Sequence, residues 1–170
     1  MEVPAVNHST FVITRSYPTT VERVFAAFAN PAKKRRWFVE GPHKEIDQYQ
    51  MDFQVGGTEL VRYHYLQGSP YPDAPFVNTG SFQDIVPNRR IVHASTMSLN
   101  GNRFSASLIT FEFLPSDAGV NLVFTFQGAF FEGSDGPQIR EMGWNKLLDQ
   151  LAEDLAVQDA IAPETVPATA

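Results

Sequence analysis

The 170-residue chain contains no cysteine, which removes disulfides, thiolate metal sites, iron–sulfur clusters and thiol nucleophiles. Charged residues are scarce, at 19%. No apolar run approaches the ~20 residues that a membrane-spanning helix needs. Residues 1–10 have neither a basic start nor the apolar stretch of a secretory signal, so a cytoplasmic location is expected. The net charge is −6, and nucleic acid and anionic membrane are therefore not expected as partners, since both call for a basic surface. No G-x-S-x-G, G-x-G-x-x-G or Walker sequence occurs. The four histidines, His8, His43, His64 and His93, lack the three- to five-residue spacing of a local zinc pair. Neither a metal nor a cofactor is expected. What is abundant is apolar: 43% of residues are hydrophobic, with 14 Phe, 5 Tyr and 2 Trp. That is too much for disorder, and the length suits one domain burying about 70% of its unfolded surface.

Residues 9–17 alternate as a strand. After Pro18, Thr19-Thr20-Val21-Glu22 has the hydroxyl-x-x-carboxylate spacing of a helix start, and a helix over 20–29 places Val21, Val24, Phe25 and Phe28 on one face. Asn30-Pro31 opens a second, short helix that Gly41-Pro42 follows. Turn signals then recur every eight to twelve residues, predicting strands over 45–53, 58–66, 78–86, 90–99, 104–114 and 120–130. Three prolines make 68–75 a loop, and Asn100-Gly101 is the clearest hairpin turn. The last helix, 138–157, carries Ile139, Met142, Leu147, Leu148, Leu151 and Leu155 as its expected apolar stripe, broadened by Trp144. The order β-α-α-β6-α predicts an α+β fold in which a curved antiparallel sheet wraps a long C-terminal helix. One domain is expected over 1–161, with a disordered tail over 162–170.

Four stretches carry a family resemblance: Tyr17-Pro18-Thr19-Thr20-Val21-Glu22-Arg23-Val24-Phe25 with Asn30-Pro31; Arg36-Trp37-Phe38-Val39-Glu40-Gly41-Pro42; Asp52-Phe53-Gln54-Val55-Gly56-Gly57-Thr58-Glu59; and Gly143-Trp144-Asn145-Lys146-Leu147-Leu148-Asp149-Gln150-Leu151. Together they resemble the helix-grip (SRPBCC) superfamily of START lipid-transfer and birch-pollen-allergen-like proteins. Within it the chain is similar to the bacterial family related to the C-terminal domain of the activator of heat-shock-protein-90 ATPase. The resemblance implies a β-α2-β6-α fold with an elongated apolar cavity, and no single reaction.

Ile109, Phe111 and Phe113 alternate with Leu108, Thr110 and Glu112, and Leu122, Phe124 and Phe126 with Val123, Thr125 and Gln127; bulky apolar groups against mostly polar ones mark the concave face. Glu59 shares a strand face with Val61, Tyr63 and Tyr65. On the concave side its carboxylate would enter an apolar cavity and suit acid–base work; on the convex side it would be solvated and inert. His93 alternates with Ile91, Ser95 and Met97, as a polar anchor in a pocket or as a satisfied core histidine. The two-residue period separates His64 from Glu59. Trp37 and Phe38 are candidate walls or plain core, and Lys33-Lys34-Arg35-Arg36 spreads its charges around a helix as solvated surface. The candidate ligand contacts are Trp37, Phe38, Glu59, Tyr63, His93, Met97, Phe111, Phe124, Met142, Trp144, Asn145 and Leu148.

The expected function is binding of a small apolar or aromatic molecule between sheet and last helix. The alternatives are a cavity enzyme, a cyclase, dehydratase or hydrolase using Glu59 or His93 as acid or base, and a chaperone-associated interaction module. A homodimer is a possible assembly.

Overall fold

The computed structural model describes residues 5–161, so the tail expected to be disordered lies outside the described residues. Strand β1 (Asn7–Tyr17) leads into α1 (Val21–Ala29), whose first turn is capped by the Thr20 hydroxyl accepting from the Arg23 N–H. Asn30 ends α1 and caps α2 (Pro31–Lys34), its side chain accepting from the Lys33 N–H at 3.1 Å. A π-helical turn (Arg35–Val39) follows, closed by the Glu40 N–H donating to the Arg35 carbonyl at 3.0 Å. Such wide turns are rare and tend to occur at functional sites. This one buries Trp37 and Val39 while leaving Phe38 half-buried.

Six further strands run β2 (Lys44–Met51), β3 (Thr58–Tyr65), β4 (Pro75–Val86), β5 (Arg90–Leu99), β6 (Asn102–Ser116) and β7 (Gly119–Phe130). They form one antiparallel sheet in the order β1-β7-β6-β5-β4-β3-β2. β4 begins three residues before the expected start, because proline is tolerated as the first residue of a strand. Asn100 and Gly101, with φ of 52° and 79°, make the tight β5–β6 turn that matches strand twist. The predicted α+β helix-grip architecture is the observed one.

Helix α3 (Pro137–Ile161) is 25 residues long, roughly 37 Å, and packs against β1, α1 and the π-turn. Its buried stripe differs from the expected one: Arg140, Trp144, Leu148, Leu151 and Leu155 face inward. Met142 is 70% exposed and Ile139 60%. At ~100° per residue, Met142 stands roughly 160° from Trp144, on the opposite side of the helix. The core beneath α3 contains Phe111, Phe113, Phe124 and Phe126, as the alternation of β6 and β7 predicts, joined by Phe11 from β1 and Phe28 from α1. Each such ring contributes about 1.5–3 kcal/mol by leaving water.

Candidate functional site

Directly opposed residues of an antiparallel sheet share a face, so the register dictates what lines the concave side. One row reads Glu59, Gly80, Ser95, Ser107, Gly128 across β3 to β7. After the carboxylate, every member is small. The neighbouring row, Phe82, His93, Ile109, Phe126, is bulky. The small row leaves a recess in the sheet, which Lys34, Phe38, Arg140 and Trp144 roof over from the helical elements. An inner chamber of about 40 Å³ results. It adjoins an outer cleft of about 350 Å³ between α3, the 40–44 loop and β3–β5, walled by Phe38, Tyr63, Tyr65, Met97, Trp144 and Leu147. Phe38, Asn78, Met97, Arg140 and Trp144 border both spaces.

At one end of the chamber the roof and the sheet are joined by a charge pair that is neutral in sum. Lys34 Nζ lies 2.9 Å from Glu59 Oε1 and 2.7 Å from Oε2, with the two residues only 6% and 4% exposed. The Tyr49 hydroxyl donates to Glu59 Oε2 at 3.3 Å. Burial, then the Glu59 charge, pushes that phenol well above its ordinary pKa. The ammonium also sits 4.8 Å over the Phe38 ring. Removing one partner of such a buried pair costs about 3–5 kcal/mol, because the other charge is left without a counterion. Sequence reasoning placed Lys34 on solvated surface, and the structure corrects this. Four consecutive positions cover a whole helical circumference, so one of them must face inward. Arg35 pairs with Glu40 and Arg36 with Asp154 on α3, while Lys34 turns under the helix with Phe38.

His93 is 5% exposed, against the Phe82 ring at 4.9 Å between centroids. Burial, reinforced by Lys34 and opposed by Glu59, lowers its pKa to about 4, so the imidazole is neutral near pH 7. Its Nε2 has no hydrogen-bond partner among the described residues, and Glu59 Oε1 is 3.9 Å away. Gly80 makes room for it. A Cβ there would fall 2.8 Å from His93 Cε1 and run into the Ala94 carbonyl oxygen.

The two acid–base candidates, Glu59 and His93, are thus brought together on the concave face. His64 points elsewhere, with Nδ1 2.9 Å from Asp47. Phe111, Glu59 and His93 line the chamber, Tyr63 the cleft, and Phe38, Met97 and Trp144 both. Trp144 stacks on Phe38 at 5.8 Å and lies 4.5 Å from Phe124. Phe124 and Leu148 are fully buried behind that wall. Trp37 is core too, its indole donating to the Ala27 carbonyl at 2.9 Å. Asn145 turns to β1, accepting from Arg15 at 2.7 Å and donating to the Glu141 carbonyl. Met142 faces away from both spaces. Lys34, Asn78, Phe82 and Arg140 belong to the lining and were not anticipated. Asn78 could have been found, since it shares its strand face with Gly80, whereas the inward arginine breaks the apolar pattern that marks a helix face. Arg140 is held bidentately by Asp135 and donates to Ser105, bracing one end of the chamber. Among the described residues no three His, Asp or Glu side chains converge to hold a metal. Nor is any helix among them long and apolar enough to cross a membrane.

Comparison with known proteins agrees with this architecture. A protein from Rhizobium leguminosarum superposes with a TM-score of 0.82 at 34% identity, over 89% of this chain and 96% of that one. The Mll3558 protein from Rhizobium loti gives 0.79 at 43% identity, over 89% and 99%. The AHSA1-like protein from Aeromonas hydrophila shares the fold, with a TM-score of 0.66 at 19% identity over 89% and 94%. No curated protein matches the chain. The model of the family described as "Activator of Hsp90 ATPase homolog 1-like protein" matches residues 18–156, from α1 through nearly all of α3. With α1, the π-turn aromatics, strands β2 to β7 and most of the gripped helix inside that span, the chain belongs to the Activator of Hsp90 ATPase homolog 1-like family.

Proposed function

We propose that this chain binds a small, mostly apolar molecule in the cleft between the sheet and α3. The observation that carries the reading is the aromatic-walled space of about 350 Å³ abutting the inner chamber. That volume lies in the range of small-molecule sites, about 300–1,000 Å³. At about 25 cal/mol per Å², burying roughly 200 Å² of ligand surface supplies about 5 kcal/mol before ordering costs. Acid–base turnover by Glu59 or His93 is the competing reading. It is less favoured because Lys34 contacts both Glu59 oxygens and Tyr49 contacts one, an arrangement that holds the carboxylate still.

The test is mass spectrometry of the purified chain under native conditions and after organic extraction, combined with tryptophan-fluorescence titration against flat aromatic compounds. A co-purifying apolar molecule, or saturable quenching of Trp144, is expected. Repeated preparations with neither would refute the reading.

A further inference from the structure

We infer that the inner chamber receives a neutral hydroxyl at the tip of the bound molecule, held between His93 Nε2 as donor and Glu59 Oε1 as acceptor. The inference rests on the apolar-ligand reading above and adds the chemical class of the ligand: a flat apolar body in the cleft carrying an alcohol or phenol at its inner end.

The first support is an imbalance in hydrogen bonding. His93 Nε2 is buried and unpartnered among the described residues, at the border of an enclosed space. Leaving such a group unmatched costs about 1–3 kcal/mol, and buried polar groups of native proteins nearly always find a partner. Glu59 Oε1 accepts one hydrogen bond, from Lys34, and a carboxylate oxygen can accept two. The two atoms stand 3.9 Å apart. That is too long for a bond between them, but an oxygen about 2.8 Å from each closes a triangle across the gap.

The second support is charge. Lys34 and Glu59 cancel, the Arg140 guanidinium at the chamber's edge is already paired bidentately with Asp135, the imidazole is neutral near pH 7, and Asn78, Ser95 and Ser107 add uncharged polar groups. A carboxylate or ammonium tip would lose its hydration there and find every charge of the lining already paired, Lys34 with Glu59 and Arg140 with Asp135. A carbonyl tip could accept from Nε2–H but would set its oxygen against the Glu59 carboxylate. A hydroxyl satisfies both sides, accepting from His93 and donating to Glu59. The third support is size. About 40 Å³ admits a hydroxyl and the edge of its ring, while the body must stay in the cleft beyond Phe38 and Trp144.

The experiment compares 2-naphthol with 2-methylnaphthalene, nearly isosteric compounds that differ by hydroxyl against methyl, and with 2-naphthoate. Dissociation constants are measured by tryptophan fluorescence on the wild-type chain and on His93→Leu. In parallel, histidine ring-nitrogen resonances of the ¹⁵N-labelled wild-type chain are followed during titration with 2-naphthol. A preference of about tenfold for 2-naphthol over 2-methylnaphthalene is expected. It should vanish in His93→Leu, and the His93 nitrogen signals should move at saturation. If the variant does not fold, the wild-type preference and those signals decide. Equal affinity for the two compounds with unmoved His93 signals would overturn the hydroxyl assignment while leaving the apolar-ligand reading intact. Tightest binding of 2-naphthoate would also overturn the assignment. Failure of all three compounds to saturate the wild-type chain would overturn both.

Discussion

Acidification from pH 7 to pH 4 is expected to cost the folded protein about 3 kcal/mol through His93 alone. The ring is buried with Lys34 nearby, which lowers its pKa from 6.5 to about 4. In the unfolded chain the imidazole regains its ordinary value. Between the two values the unfolded chain therefore binds a proton that the folded chain refuses, and stability rises with pH across that window. It is fully present above about 6.5, falls as pH drops toward 4, and no longer changes below. At roughly 1.36 kcal/mol per pH unit, the interval from 6.5 to about 4 yields the stated figure. The assay is urea unfolding, read by tryptophan fluorescence at constant ionic strength from pH 7.5 to 4, on wild type and on His93→Leu. Carboxylates titrate in both proteins, so the difference between the two curves isolates the histidine. The wild type should lose about 3 kcal/mol more than the variant. Parallel curves, or a His93 ring resonance titrating near 6.5 in the native protein, would refute the placement of a neutral imidazole beside Lys34.

Lys34→Met should destabilise by about 3–5 kcal/mol by stranding the Glu59 carboxylate, whereas Lys34→Met with Glu59→Leu should recover most of that loss; denaturant midpoints of the three proteins check it. Gly80→Ala should lower the thermal midpoint far more than a strand glycine normally would, since the added methyl meets the Ala94 carbonyl and the His93 ring, and an unchanged midpoint would contradict the close approach. Trp144→Ala should cost about 3–5 kcal/mol through lost packing against Phe38, Phe111 and Phe124, and should abolish fluorescence changes on ligand addition; little change in melting temperature would show the indole to be peripheral. Burial, with Lys146 adding to it, lowers the Lys44 pKa from 10.5 to about 8, so stability relative to Lys44→Met should rise with pH between those values; a flat difference curve would count against the placement of that ammonium over Tyr63.

Local signals revealed much of this molecule in advance. Asn30 had to be a cap because its side chain satisfies a free N–H group whatever the rest of the chain does, and the threonine pair before Val21 marks the first helix start to within one residue, Thr20 rather than Thr19 being the cap. Asn100-Gly101 had to be a turn because its backbone angles suit few other residues. The alternation through Ile109 to Phe113 and Leu122 to Phe126 marked the concave face because side chains on a strand have a period of two. Those facts, together with the family motifs, were enough for the fold and for placing Tyr63, Met97, Phe111 and Trp144 about a cavity.

Pairing across elements was not legible, because a charge carries no mark of its partner in the linear chain. Lys34 reads as one of four surface cations until α2 is laid against β3 and the ammonium meets Glu59. Met142 reads as part of the apolar stripe of α3 until the helix turns Arg140 toward Asp135 and Ser105, which sends Met142 to the outside. His93 and Glu59 were each ambiguous alone, and only the β3-β4-β5 register, with Gly80 between them, sets one beside the other. The sequence by itself determined the elements, their order and the apolar face, since these follow from short-range sterics and periodicity. Tertiary structure alone decided which polar groups are buried together and how large the hollow is, since both depend on how closely segments remote in the chain approach one another.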